Sequence, residues 1–113
     1  EAIRHMEIYH ENYAISICPS AGLQSPTIVG AQAANELLDV AGIKASFVLT
    51  YYNDEIYISA RSIDEVNVQI IMERLGGGGH MNIAGAQLEN NTPYDALEVI
   101  KETINEMLEE GAI

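Results

Sequence analysis

Apolar and polar positions alternate over Met6–Tyr9 and again over Tyr13–Cys18, with His10-Glu11-Asn12 between them. A period of two buries one face of a strand, so this pattern predicts a hairpin with a polar turn. Beyond Pro19 the period changes. Ile28, Ala34, Leu37, Leu38 and Ala41 recur at helical spacing, and Ala31 and Ala33 permit close packing. Ser25 offers an N-cap oxygen ahead of Pro26 at the first helical position, and Gly42 supplies a left-handed C-terminal residue. A helix over about 26–41 follows from these signals.

Ala45–Tyr52 and Glu55–Arg61 are two further strands joined by Asn53-Asp54, residues that tolerate positive φ. A two-residue turn sets the register: opposed residue numbers sum to 107. Tyr51/Ile56, Leu49/Ile58 and Phe47/Ala60 then share an apolar face. Thr50/Tyr57, Val48/Ser59 and Ser46/Arg61 share the other, more polar one, and Arg61 points away from the main core.

Ser62-Ile63-Asp64-Glu65 reads as a capping box, with Ser62 at the N-cap of a helix running to about Leu75. Val66, Ile70 and Ile71 face the core, and Arg74 suits the negative end of the helix dipole. Gly76 to Gly79 end that helix, His80 follows, and a short strand spans about Ala84 to Leu88. Thr92-Pro93-Tyr94-Asp95 opens a last helix, whose Leu97, Ile100, Ile104, Met107 and Leu108 form one stripe up to Glu110. The order ββαββαβα predicts an α/β fold: a mixed sheet of about five strands with about three helices packed against it.

At 113 residues the chain has room for a single domain, and 48% apolar residues are enough for a packed core. No apolar run reaches the roughly 18–20 residues of a membrane span, and Glu1-Ala2-Ile3-Arg4-His5 lacks the layout of a signal peptide. Cys18, without a second cysteine, is expected to be a small core residue. Five Lys and Arg against 17 Asp and Glu give a formal charge of −12, which opposes binding of long nucleic acid. A phosphate ligand must therefore be small and held by a local cluster.

Gly76-Gly77-Gly78-Gly79-His80 is the most informative segment, because four glycines in a row cost much conformational entropy. Two readings stand side by side. A turn without Cβ atoms can point successive N–H groups at one anion, with His80 as a further donor at the rim; or the run is a mobile connection with a solvent-facing histidine. Arg61 is the second candidate, since its fixed donors suit bidentate phosphate recognition, though a surface arginine without a ligand is common. Tyr57 and Ser59 share its face, and Tyr57 either stacks on a base or is ordinary packing. His5, His10 and His80 are scattered and form no metal-ligand spacing, and no nucleophile signature or nucleotide-triphosphate loop is present. No catalytic residue is expected in this chain. Glu98, Glu102, Glu106 and Glu110 make a line of like charge, read as a solvated face or as a docking face for a basic domain.

Ser59-Ala60-Arg61-Ser62, Val66-Asn67-Val68-Gln69, Gly76 to His80 and Ala84-Gly85-Ala86 together resemble, in order and spacing, the C-terminal DHH-associated domain of DHH-family phosphoesterases. The resemblance extends to Ala31-Gln32-Ala33-Ala34 and Ala45-Ser46-Phe47-Val48, so it spans most of the chain. It is strongest toward membrane-anchored cyclic-di-AMP phosphodiesterases of the GdpP/YybT type. It implies a substrate-binding domain whose Gly76, Gly77, Gly78, Gly79 and His80 hold substrate phosphate across an interdomain cleft, with Arg61 also on the nucleotide. Cyclic-di-AMP would be hydrolysed to linear pApA by a preceding DHH domain, absent from these 113 residues, that carries manganese; this chain itself is expected to hold no cofactor. The resemblance further implies a cytoplasmic domain of a membrane-anchored parent. Ile83 departs from the family pattern, which commonly has a small residue before Ala84-Gly85. Alternative readings are an oligoribonuclease acting on short RNA, an RNA-binding appendage, and a dimerisation unit.

Overall fold

Alternation carries the chain through β1 (Glu7–Tyr9) and β2 (Tyr13–Pro19), which pair antiparallel, with His10 and Glu11 at φ of 52° and 70° closing the turn. The change to helical spacing then lifts the chain out of the sheet. Helix α1 (Pro26–Leu38) crosses over to β3 (Ala45–Tyr52), which lies parallel to β2, and β4 (Glu55–Ser62) returns antiparallel to β3. Helix α2 (Val68–Arg74), a short β5 (Gly78–His80), β6 (Ile83–Glu89) and α3 (Pro93–Glu110) complete the order. The structure is a computed structural model that describes residues 7–19, 26–52, 55–89 and 92–113, without the side chains of 18, 19, 26 and 27. Ser25, the Asn53-Asp54 turn and the burial of Cys18 lie outside what is described.

The sheet has six strands in the order β1-β2-β3-β4-β6-β5, one more than the sequence predicts. The extra strand is β5, which the sequence pattern assigns to a loop. Glycine has no strand propensity of its own; pairing with β6 makes this segment extended. The β3–β4 register agrees with expectation, from Ala45↔Ser62 to Tyr52↔Glu55.

Each face of the sheet carries its own layer. On one face Ile15, Phe47, Leu49, Ile56 and Ile58 pack against Val68, Ile71 and Met72 of α2 and Ile100, Ile104 and Met107 of α3. On the other, α1 lays Ala33, Ala34 and Leu37 on Ala14 and Val48. Small side chains on both partners let this helix sit close. The Ser46 hydroxyl donates to the Ala34 carbonyl at 2.7 Å, and a Cβ on Gly30 would lie 2.6 Å from Ser59 Oγ. The face that reads as polar in sequence is thus buried under α1 along Ser16, Ser46, Thr50 and Ser59. Thr50 Oγ1 is fully buried there with no hydrogen-bond partner.

Two helix boundaries differ from those predicted. Helix α1 stops at Leu38 because the chain tightens into i→i−3 bonds, Asp39 N to Glu36 O and Val40 N to Leu37 O, before Gly42 at φ 88°. Helix α2 begins at Val68, not after Ser62. Ser62 finishes β4, and its hydroxyl donates to the Val66 carbonyl at 2.6 Å. Asn67 is the N-cap instead: its Oδ1 accepts from Gln69 N at 2.9 Å and Ile70 N at 3.4 Å. Val68 N donates to the Met81 carbonyl at 2.9 Å, tying the start of α2 to the β5–β6 turn.

At the other end of α2, Gly76 N and Gly77 N donate to the Glu73 and Met72 carbonyls, closing the helix C-terminus. Gly77 then passes over β6 so closely that a Cβ would stand 2.1 Å from Gly85 O and 2.7 Å from Ala86 Cα. Gly79, at φ 145°, is similarly placed: a Cβ on it would stand 2.5 Å from Ile83 O. Arg74 braces the same corner through a forked ion pair to Glu110, with Nη2 to Oε1 at 3.0 Å and Nη1 to Oε2 at 3.1 Å.

Because the atoms facing Gly77 are backbone, Gly77→Ala is expected to destabilise the chain by about 2–3 kcal/mol in urea unfolding. Thr50→Val keeps the shape and removes an unsatisfied hydroxyl, so a gain of about 1 kcal/mol is expected in the same measurement.

Candidate functional site

Residues opposed across antiparallel strands project to the same face, so the register across β4, β6 and β5 places side chains in rungs. Arg61↔Ile83↔His80 is one rung, Ser59↔Gly85↔Gly78 the next, and Tyr57↔Gln87 the third. All lie on the α1 side of the sheet, but α1 packs over β3 and β4 and leaves this corner open. Successive rungs are about 7 Å apart along a strand, and Arg61 and His80 stand about 10 Å apart across two strand spacings. The middle rung carries one hydroxymethyl group and two glycines. It forms the floor of a cleft of about 590 Å³, a volume suited to a small-molecule ligand.

This cleft brings together Arg61, Gly76, Gly77, Gly78, Gly79 and His80, residues that are 15 to 19 positions apart in sequence from Arg61 to the glycine run and histidine. Its lining contains no carboxylate, although the chain carries 17 Asp and Glu. Arg61 is half-buried, and burial lowers its pKa from the usual arginine value; the guanidinium nonetheless stays charged. Lys44 pairs with Glu65, Arg74 with Glu110, and Lys101 with Glu7. Among the described residues Arg61 is the one Lys or Arg without a carboxylate partner; its Nη1 donates to the neighbouring Ala60 carbonyl at 2.8 Å. A cation left in this state, in a cleft free of negative charge, attracts an anion.

The glycine run divides into two parts. Gly76 and Gly77 have spent their N–H groups on the carbonyls of α2, so a cradle of successive donors beginning at Gly76 is not what the fold builds. Gly77 and Gly79 are required by their close approach to β6. Gly78 is different: it has no positive φ, and a Cβ there would meet nothing within 4 Å. Neither backbone geometry nor packing calls for glycine at this position. What its missing side chain does is keep the cleft floor open. His80, in an exposed position on the edge strand β5, presents its imidazole from the rung that carries Arg61.

Gly85, from the Ala84-Gly85-Ala86 motif, and Gln87, which no sequence motif marks, also belong to the cleft; the alternation of β6, once set against β4, would have found both. Tyr57 donates its hydroxyl to Glu55 Oε1 at 3.2 Å, and partial desolvation together with that hydrogen bond raises its pKa above the usual tyrosine value. His10 packs edge-on against Tyr9, with ring centroids 4.3 Å apart. Among the described residues no three His, Cys, Asp or Glu side chains converge as a metal donor set, and no helix is long and apolar enough to cross a membrane.

The DHHA1 domain family matches residues 11–110. Cyclic-di-AMP phosphodiesterase PdeA of Listeria monocytogenes is 43% identical over 95 residues, covering 83% of this chain and 14% of that protein. Cyclic-di-AMP phosphodiesterase GdpP of Bacillus subtilis is 41% identical over 111 residues, covering 96% of this chain and 17% of that protein. The chain therefore spans about one-sixth of the length of these relatives. An exopolyphosphatase-related protein from Bacteroides fragilis shares the fold, with a TM-score of 0.80 at 20% identity over 94% of this chain and 32% of its own. By the extent of the family match and the identity to these relatives, the chain belongs to the DHHA1 domain family.

Proposed function

We propose that this chain is the substrate-binding domain of a phosphodiesterase that converts cyclic-di-AMP to linear pApA. The observation that carries this reading is the unpaired Arg61 guanidinium at the wall of a carboxylate-free cleft, on one rung with His80 and beside a floor opened by Gly78. Family membership and the activities of the relatives support the choice of substrate.

In this reading Arg61 forms charge-assisted hydrogen bonds to a phosphate oxygen, His80 donates from the opposite side, and the N–H groups beyond Gly77 approach the anion without steric hindrance from Gly78. The contribution to rate is positional and electrostatic: one phosphodiester is held in a single orientation, and its charge is offset in a partly desolvated cleft. The bond-breaking chemistry belongs to a preceding DHH domain of the longer protein, where manganese would activate the attacking water. That longer protein is membrane-anchored, with this domain on the cytoplasmic side.

In the full-length protein, Arg61→Ala is expected to lower kcat/KM for cyclic-di-AMP by roughly 10- to 100-fold, the worth of a hydrogen bond to a charged group, with bound manganese unchanged. Unaltered activity would remove Arg61 from the site. Gly78→Val is expected to leave the melting temperature near that of the wild type while weakening pApA binding to this chain, followed by amide NMR titration. Equal binding by the two proteins would show that the cleft floor does not receive the ligand.

A further inference from the structure

Two side chains face the same cleft from the end remote from Arg61. Tyr57 and Gln87 are partners across β4 and β6, one floor rung beyond Ser59↔Gly85. Tyr57 lies four positions before Arg61 on β4, about 14 Å along the strand, and the glycine floor lies between. A ligand phosphate held at Arg61 therefore has the rest of its nucleotide lying over Gly78 and Gly85, toward Tyr57 and Gln87.

These two residues have complementary properties. Tyr57 is half-buried, and its hydroxyl is tethered to Glu55, so the ring is restrained and offers an apolar surface. Gln87 is exposed, makes no ion pair or hydrogen bond among the described residues, and carries both a donor and an acceptor in one plane. The charges nearest to them, the Glu55 carboxylate on the Tyr57 hydroxyl and Glu89 opposite Glu55 on the next rung, are negative and repel phosphate from that end. A neutral amide beside an aromatic ring is poorly suited to phosphate and well suited to the edge and face of a nucleobase.

Resting on the proposed substrate-binding role, we infer that Gln87 is the base-reading residue of this cleft and that it selects adenine over guanine, with Tyr57 supplying the surface against which the base lies. The selectivity follows from hydrogen-bond polarity. A glutamine amide matches the N6 donor and N7 acceptor of adenine, whereas guanine presents two acceptors, O6 and N7, and leaves the amide oxygen facing an acceptor. An arginine at the same place has donors only and matches guanine. Gln87 thus acts on specificity, leaving phosphate capture to Arg61 and the glycine loop.

The test is an amide NMR titration of this chain with pApA and with pGpG, for the wild type, Gln87→Leu and Gln87→Arg, after their melting temperatures have been compared. The wild type is expected to bind pApA roughly tenfold more tightly than pGpG, with shifts at Tyr57 and Gln87 as well as at Gly78 to His80. Gln87→Leu should lose that preference while the shifts at Gly78 to His80 and Arg61 persist, and Gln87→Arg should turn it toward pGpG. An unchanged ratio of affinities in Gln87→Leu, with the glycine-loop shifts intact, would overturn the assignment of Gln87 and leave the substrate-binding role standing. Absence of any shift at Gly78 to His80 with either dinucleotide would overturn the substrate-binding role, and this inference with it.

Discussion

The contact on which the rest of this domain depends is the passage of Gly77 over β6, closer than any residue with a Cβ could come. Helix α2 lies on one face of the sheet, and the chain leaving it must return to the sheet edge within three residues to form β5. Gly76 and Gly77 achieve this by closing the helix C-terminus with their N–H groups and then settling onto the backbone of Gly85 and Ala86. Only then can Gly78 pair with Gly85 and His80 with Ile83. The open floor and the Arg61–His80 rung are consequences of that one close approach.

The two faces of the sheet divide the work. The face packed against α2 and α3 carries the large apolar side chains and holds most of the core, with the Arg74–Glu110 fork joining the ends of the two helices. The face under α1 carries serines, a threonine and alanines, small enough for the helix to sit close. That helix shields Ser59 and Thr50 but stops short of the β6–β5 corner. Placing an arginine in the partly covered strip between a buried serine face and an open sheet edge leaves it desolvated without supplying a carboxylate. In a chain of charge −12, such a position is unusual in its electrostatics, and it is the feature on which the proposed anion-binding role rests.

The sequence pattern and the structure agree where local signals were unambiguous. The β3–β4 register was legible because a two-residue turn leaves one arithmetic choice, and α3 because Thr92-Pro93 marks its start and one apolar stripe runs on to Glu110. They disagree at α2, where Ser62 and Asn67 are both competent caps. The competition was settled by Ser62 completing its ladder with Ala45, and by Asn82 Nδ2 donating to both Ser62 Oγ and the Val66 carbonyl. Strand β5 was invisible for a related reason: nothing in three residues of Gly-Gly-His favours extension until a partner strand is present.

The sequence by itself determined the α/β class, the order of the elements other than β5, the face on which Arg61 lies and the glycine run as a stretch whose entropic cost needs a reason. Those follow from periodicity, turn chemistry and the absence of Cβ atoms, which are properties of neighbouring residues. Tertiary structure decided what each glycine is for: Gly77 and Gly79 serve packing, whereas Gly78 serves the cleft. It also decided that Gln87 and Tyr57 belong to the same cleft as Arg61 and His80, since that depends on strands β4, β6 and β5 lying side by side in register. Cross-strand neighbours are set by pairing across the sheet, and no run of adjacent residues encodes them.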